Sequence, residues 1–206
     1  MKIALIDYGA GNLTSVRKAL NSVQAEVWSP QKPQELSEAQ GLIVPGVGHF
    51  KSTAALDTSW RQAVLDCIKL DRPVLGICLG MQWLFEHSAE AYDTSGLGLL
   101  AGKCTLLSGT GSEGTLKVPH VGWNALNLVG NSQLLRGIKQ GSYVYFTHSY
   151  VAPVVDVSIA TTTYGETFTS AVEYNKIFGV QFHPEKSGDV GLKILINYLS
   201  AVRNNS

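Results

Sequence analysis

The chain has 206 residues, 45% of them apolar and 16% charged, and its sixteen basic residues are matched by sixteen acidic ones. That composition fits one globular domain over residues 1–206 with a sizeable core, and it excludes a disordered or fibrous chain. No basic stripe suggests nucleic acid, and no apolar stretch reaches the roughly 18 residues of a membrane span.

The N-terminal "MKIALIDYGA" is too short and too quickly interrupted by Asp7 for a signal peptide, and it reads as a first strand, 2–6. A glycine-rich turn follows, then helical spacing over 14–23, a short strand at 25–29, a proline-flanked polar loop and a strand at 41–46. Residues 53–70 read as a helix with Ala54, Leu56, Trp60, Val64, Cys67 and Ile68 as its inner stripe; 73–77 is a buried strand and 80–88 a helix. Buried apolar strands separated by helices imply a parallel sheet covered on both faces. The second half is rich in Val, Thr and Tyr at 99–107, 115–129, 142–151 and 156–174, which reads as strands, partly antiparallel. "GTGSEGT" (109–115) reads as a flexible loop, 177–182 as a returning buried strand and 190–202 as a closing amphipathic helix. The predicted architecture is a three-layer α/β domain: a mostly parallel sheet flanked by helices, with an added antiparallel β portion.

Three cysteines without paired spacing point to a reducing compartment, the cytoplasm, rather than a disulfide framework. One of them is placed unusually. In "PVLGICLGMQWLF" (73–85), Cys78 stands between Gly76 and Gly80 where a strand pattern gives way to a helix. Gly-x-Cys-x-Gly at such a junction fits a nucleophile elbow, a strained turn with no room for side chains two positions either side. The turn lifts the sulfur to the carboxyl ends of the strands, beside a helix N-terminus that favours thiolate. Cys67 and Cys104, in regular apolar patterns, read as core.

A thiol nucleophile needs a base, and the base an orienting group. Among five histidines, only His183 in "VQFHPEKS" (180–187) has a carboxylate two positions on, Glu185. In an extended segment residues two apart point the same way, and Pro184 is expected to block a following helix. Glu185 would then fix the imidazole tautomer. His49, His87, His120 and His148 read as structural, and no histidine or cysteine pair has zinc spacing, so no metal is expected. "VPGVGHF" (44–50) ends a strand at the same sheet edge, and backbone N–H groups of Val47 and Gly48 are expected to converge with that of Leu79 on an oxyanion.

Together "GICLGMQ", "PGVG" and "FHPE" resemble the class I, triad-type glutamine amidotransferases, over nearly the whole chain. "DYGAGNLTSV", "KVPHVGWN", "YFTHSY" and "FHPEKS" narrow the likeness to the imidazole glycerol phosphate synthase glutaminases within that family. His49, Trp83 and Gly188 depart from the pattern, away from the triad. The resemblance implies glutamine as substrate, attacked by Cys78 with His183 as proton carrier and Glu185 behind it, and no cofactor. It implies that Gly46, Gln82, His148, Ser149 and Tyr150 seat the glutamine. It also implies a heterodimer with a (β/α)8-barrel cyclase that receives the ammonia to make imidazole glycerol phosphate and AICAR, with Asn12, Trp123 and Lys186 at the interface and ammonia gate. Two alternatives stand beside this: the glutaminase of another synthase, of anthranilate or pyridoxal phosphate type, and a non-catalytic subunit on the same fold. A dinucleotide-binding module is a further rival, on Gly9-x-Gly11 and Glu26, although Thr14 replaces its third glycine.

Overall fold

The computed structural model describes residues 1–111 and 114–205. In chain order, β1 (Lys2–Leu5) leads to α1 (Leu13–Ser22) and β2 (Glu26–Trp28). A 3-10 turn (Pro33–Glu38) precedes β3 (Gly41–Val44); another (Phe50–Ala55) precedes α2 (Thr58–Lys69), β4 (Val74–Ile77) and α3 (Leu79–Leu84). The chain continues through β5 (Phe85–Ser88), β6 (Leu100–Leu106), β7 (Thr110–Gly111), β8 (Gly114–Thr115), β9 (His120–Ala125) and β10 (Asn127–Leu128). Then come β11 (Tyr143–His148), β12 (Tyr150–Val151), β13 (Ser158–Tyr164), β14 (Glu166–Tyr174) and β15 (Ile177–Val180). A third 3-10 turn (Pro184–Lys186) leads into α4 (Gly188–Arg203).

Eight strands form the main sheet in the order β10-β13-β14-β15-β4-β3-β1-β2. Its β15-β4-β3-β1-β2 portion is parallel, and β14, β13 and β10 extend it antiparallel. Successive residues of a strand face opposite sides, and here both sides are dry. Ile3, Leu5, Ile43, Leu75 and Ile77 pack with Val16 and Leu20 of α1 and with Ile194, Leu195 and Tyr198 of α4. Ala4, Ile6, Leu42, Val44 and Val74 face the other way, onto Val64 and Cys67 of α2 and onto Trp83. This is why the parallel strands read as unbroken apolar runs. Trp83 is fully buried, with the Arg61 guanidinium 5.7 Å from its ring centre. No helix among the described residues is long and apolar enough to cross a membrane.

The structure corrects the sequence reading at several points. The helix expected over 53–70 is two pieces, because Asp57 takes the extended N-cap conformation and its carboxylate accepts from the N–H groups of Ser59 and Trp60 at 2.9 and 3.1 Å. Ala54, assigned to the inner stripe, is exposed on the 3-10 piece. The helix expected over 80–88 stops at Leu84; Phe85 turns extended, and Phe85–Ser88 pairs in parallel with β6. Within the stretch expected as a loop at 109–115, Thr110 pairs with Thr115 and Gly111 with Gly114, while Ser112 and Glu113 lie outside the described residues. The Gly9-x-Gly11 turn serves packing: a Cβ on Gly11, at φ +131°, would lie 3.3 Å from the Gly46 Cα.

The glycines flanking Cys78 are demanded by contact. A Cβ at Gly76 would lie 2.6 Å from the Gly80 carbonyl oxygen, and one at Gly80 would drive into the carbonyl of Val44 on the neighbouring strand. Backbone cannot move aside as a flexible side chain can. Gly80→Ala is therefore expected to lower stability by about 1–3 kcal/mol, the usual cost of overpacking, read as a lower urea midpoint with an unchanged slope.

Candidate active site

The site is built where two parallel strands end side by side. β15 pairs with β4 so that Val180 faces Ile77, and the next step of the ladder is the Cys78 N–H donating to the Val180 carbonyl at 2.7 Å. Cys78 thus leaves its strand opposite Gln181, two residues before His183. The turn holds Cys78 at φ 53° and ψ −108°. For a residue with a Cβ this left-handed region is strained, and it is the backbone that an elbow requires.

His183 is clamped from β11. Its N–H donates to the Tyr145 carbonyl at 2.9 Å, the Ser187 hydroxyl donates to the His183 carbonyl, and the Tyr145 N–H donates to that hydroxyl at 3.0 Å. The His183 Nδ1 and Glu185 Oε1 are 2.8 Å apart, and both side chains are about 2% exposed. The pairing expected from the sequence is present, but its backbone differs: Pro184 opens a 3-10 turn, and that turn rather than an extended run swings Glu185 under the ring. Burial opposes a charge on this imidazole, yet the nearby Cys78 and Glu185 outweigh it and push it up to about 9, while Nε2 itself has no hydrogen-bond partner in this conformation. Such an arrangement can hold an imidazolium beside a sulfur and return the proton to a leaving group. The other cysteines have no such surroundings. Burial raises Cys67, and burial, then Glu90, pushes Cys104 up to about 12.

A cavity of about 260 Å³ opens over the sulfur, lined by Gly48, Cys78, Leu79, Gln82, Glu90, Pro119 and the 147–150 segment. Of the residues expected around glutamine, Gln82, His148, Ser149 and Tyr150 line it, and Gly46 does not. Gly46 lies behind the wall, packed so closely on Tyr8 and Leu79 that a Cβ would collide with the phenol oxygen. The Tyr8 hydroxyl, buried and without a hydrogen-bond partner, is held well above its usual value by burial and then by Cys78. Val47, expected to donate to an oxyanion, is not among the lining residues, and the Leu79 N–H already donates to the Gly46 carbonyl at 3.3 Å. The expected convergence of donors is therefore not formed in this conformation.

Sequence reasoning missed Glu90. It arrives on the segment after β5, which had been read as helix, and its Oε2 accepts from the Phe50 N–H at 2.6 Å. A carboxylate twelve positions after the elbow cysteine was the only available signal. Sequence reasoning also missed the partnership of His120 and His148. The Tyr150 carbonyl can only accept, so His148 carries its proton on Nδ1, at 3.0 Å from that oxygen. His148 Nε2 then accepts from His120 Nδ1 at 3.1 Å, and His120 Nε2 faces the Asn124 amide at 3.4 Å. Both rings are neutral: burial pushes His120 down to about 4, and burial followed by the neighbouring His120 pushes His148 down to about 3. His49 and His87 are exposed and do not line the cavity.

The three residues assigned to an interface stand outside the cavity. Asn12 caps α1, accepting from the Ser15 N–H at 3.2 Å. Trp123 is 55% exposed, edge-on to Tyr145, and the Lys186 ammonium sits 5.7 Å from the same tyrosine ring. Trp123 and Lys186 thus share one exposed face directly behind the His183 turn.

The family model for glutamine amidotransferase class-I matches residues 4–200 of the chain. The imidazole glycerol phosphate synthase subunit HisH of Bacillus subtilis is 45% identical over 203 residues, covering 95% of this chain and 94% of that protein. The same-named subunit of Methanothermobacter thermautotrophicus is 44% identical over 202 residues, covering 98% and 99%. Among solved structures, PurLQS from Thermotoga maritima superposes with a TM-score of 0.75 at 17% identity over 97% of each chain, a likeness of fold.

The histidines give stability two opposed slopes with pH. His120 and His148 titrate in the fold at about 4 and about 3, below the ordinary 6.5, so the unfolded chain binds protons first and stability is lost as pH falls from about 6.5 towards 3. His183, raised to about 9, contributes fully below 6.5 and loses that contribution as pH rises through 9. Thermal melts from pH 4 to 9.5 should therefore peak near neutrality. His148→Gln should flatten the acid side and His183→Gln the alkaline side.

Proposed function

The chain belongs to the class-I glutamine amidotransferases, and from that premise we propose that it is the glutaminase subunit of an imidazole glycerol phosphate synthase, releasing ammonia from glutamine for a partner subunit. The observation that carries the reading is Cys78 at the end of β4, lining a cavity of amino-acid size, with the hydrogen-bonded His183 and Glu185 just past the end of the paired strand β15.

In this reading the Cys78 proton passes to His183, and the sulfur attacks the side-chain amide carbon of glutamine. Glu185 steadies the imidazolium, as the 2.8 Å contact and the value of about 9 support. Collapse of the tetrahedral adduct breaks the carbon–nitrogen bond; the His183 proton goes to nitrogen, ammonia leaves, and a γ-glutamyl thioester remains. Water then gives a proton to His183 and attacks the thioester. The carbon–sulfur bond breaks, glutamate departs and Cys78 recovers its proton.

An oxyanion needs donors, and here the Gly46 carbonyl occupies the Leu79 N–H. A planar peptide exchanges its C=O and N–H positions when it turns over. Rotation of the Gly46–Val47 peptide would therefore free the Leu79 donor and bring the Val47 N–H in beside it. Glycine at 48, at φ +107°, gives the segment the freedom to do so. The resting chain is accordingly slow, and the partner's arrival favours the turned peptide. That partner is a (β/α)8-barrel cyclase in a heterodimer, docked over the face that carries Trp123 and Lys186, with Asn12 at its edge; ammonia passes beneath it rather than through water.

Glu90 holds the α-ammonium group of glutamine, and the backbone from His148 to Tyr150 its carboxylate. Losing a charge-assisted hydrogen bond, about 1.5–3 kcal/mol, makes Glu90→Gln raise KM for glutamine roughly tenfold or more with a small change in kcat.

Cys78→Ala should abolish glutamine-driven turnover of the reconstituted synthase while ammonia-driven turnover persists. A glutamine-like chloroketone should label Cys78 and spare Cys67 and Cys104. Survival of glutamine turnover in Cys78→Ala would refute the reading. Equal glutaminase rates with and without the cyclase would refute the resting-peptide part.

A further inference from the structure

Gln181 takes no part in the reaction described above, yet it is 0% exposed and lies against the nucleophile. Its orientation follows from a chain of hydrogen bonds with a fixed starting point. The Tyr150 carbonyl can only accept, so Gln82 must turn its NH2 group towards it, at 2.9 Å. That same NH2 lies 3.0 Å from the Gln181 amide, which must present its oxygen, since two NH2 groups would repel. The Gln181 NH2 is thereby left facing Cys78 Sγ at 3.6 Å. On another side of the sulfur, at 3.9 Å, lies the Thr147 carbonyl. A thiol has somewhere to direct its proton, and a thiolate has a donor.

We propose that Gln181 is a positioning residue for the nucleophile: its amide N–H, locked by Gln82 and the Tyr150 carbonyl, hydrogen-bonds the Cys78 sulfur and stabilises it as thiolate. This rests on the reading of Cys78 as the nucleophile. The need for such a donor is local. The helix behind the cysteine is only the six residues Leu79–Leu84, and its first N–H is engaged by Gly46. A donor to a charged sulfur gains strength in a dry site, and Gln181 is carried there by the same ladder that aligns β15 with β4. An amide buried only to fill space would need saturation of its polar ends but would have no effect on the protonation of Cys78.

The test is the rate of Cys78 alkylation by iodoacetamide against pH in the full chain, read by mass spectrometry, with Cys67 and Cys104 as internal references. Because the reagent is neutral, the acid limb reports the thiolate as it exists in the Cys78–His183 pair. The other titratable groups around the sulfur, His183, Tyr8, His148 and Glu90, are untouched by the substitutions. Gln181→Met should move the acid limb up by about one pH unit and slow alkylation at pH 7 about tenfold. Gln82→Met, which leaves Gln181 in place but frees it to rotate, should move the limb the same way by less, and it decides the matter if Gln181→Met does not fold. Superimposable profiles in folded variants would overturn the role of Gln181 while leaving Cys78 as nucleophile. Failure of the unsubstituted chain to react at Cys78 with either iodoacetamide or a glutamine-like chloroketone would remove the nucleophile itself, and this proposal with it.

Discussion

The parallel pairing of β15 with β4 brings together two pieces of chain about a hundred residues apart, and its register decides what meets at the end. With Val180 opposite Ile77 and the Cys78 N–H on the Val180 carbonyl, Cys78 leaves its strand opposite Gln181, and His183 follows two residues further along the neighbouring one. A slip of one residue would send Gln181 and His183 to the wrong faces, because side chains alternate. The register is held by burial on both sides of the sheet. Phe178 and Val180 pack with Leu75 and Ile77 on the face covered by α4, and Gly179 lets Met81 close in from the other. Core packing is thus the cause of the site's geometry, one layer removed.

Around that junction the same physical term, burial, has opposite outcomes for three imidazoles. Each is disfavoured as a cation by loss of water. His183 has a carboxylate at 2.8 Å, and with Cys78 also raising it, becomes the ring that holds a proton. His120 and His148 have only each other, a carbonyl and an amide, and stay neutral. The neutral pair fixes a direction for every hydrogen bond as far as the Tyr150 carbonyl, and from that carbonyl a second chain of amides runs to Cys78. The amides and imidazoles in and behind the cavity wall are therefore each held to one orientation.

Much of this was legible in the sequence because it depends on short-range constraints. Glycines two positions either side of Cys78 announce close backbone approach, and the contacts at Gly76 and Gly80 are that approach. A carboxylate two residues after His183 announces a partner, although the backbone reaching it is a 3-10 turn where an extended run was expected. The parallel half of the sheet followed from its apolar runs. What could not be read depends on distant partners. Phe85–Ser88 has helical spacing in isolation, and the pairing of β5 with β6 overrides it. Nothing near Leu79 signals that its N–H is engaged by Gly46, and nothing near Gln181 signals which end of its amide faces the sulfur.

The early end of α3 has a wider consequence. Had the elbow helix run on to residue 88, the chain would have been carried away along the sheet. Instead the strand at Phe85–Ser88 and the backbone bonds of residues 96–98 to Trp83, Phe85 and Glu86 fold the intervening segment back, delivering Glu90 to the rim of the cavity. In the proposed reading, bond-making and substrate choice are thereby lodged in different parts of the polypeptide, one shared with the core, the other a surface excursion. Divergence could rewrite the excursion, exchanging one amino-acid headgroup for another, while the sulfur and imidazole stayed where the sheet puts them.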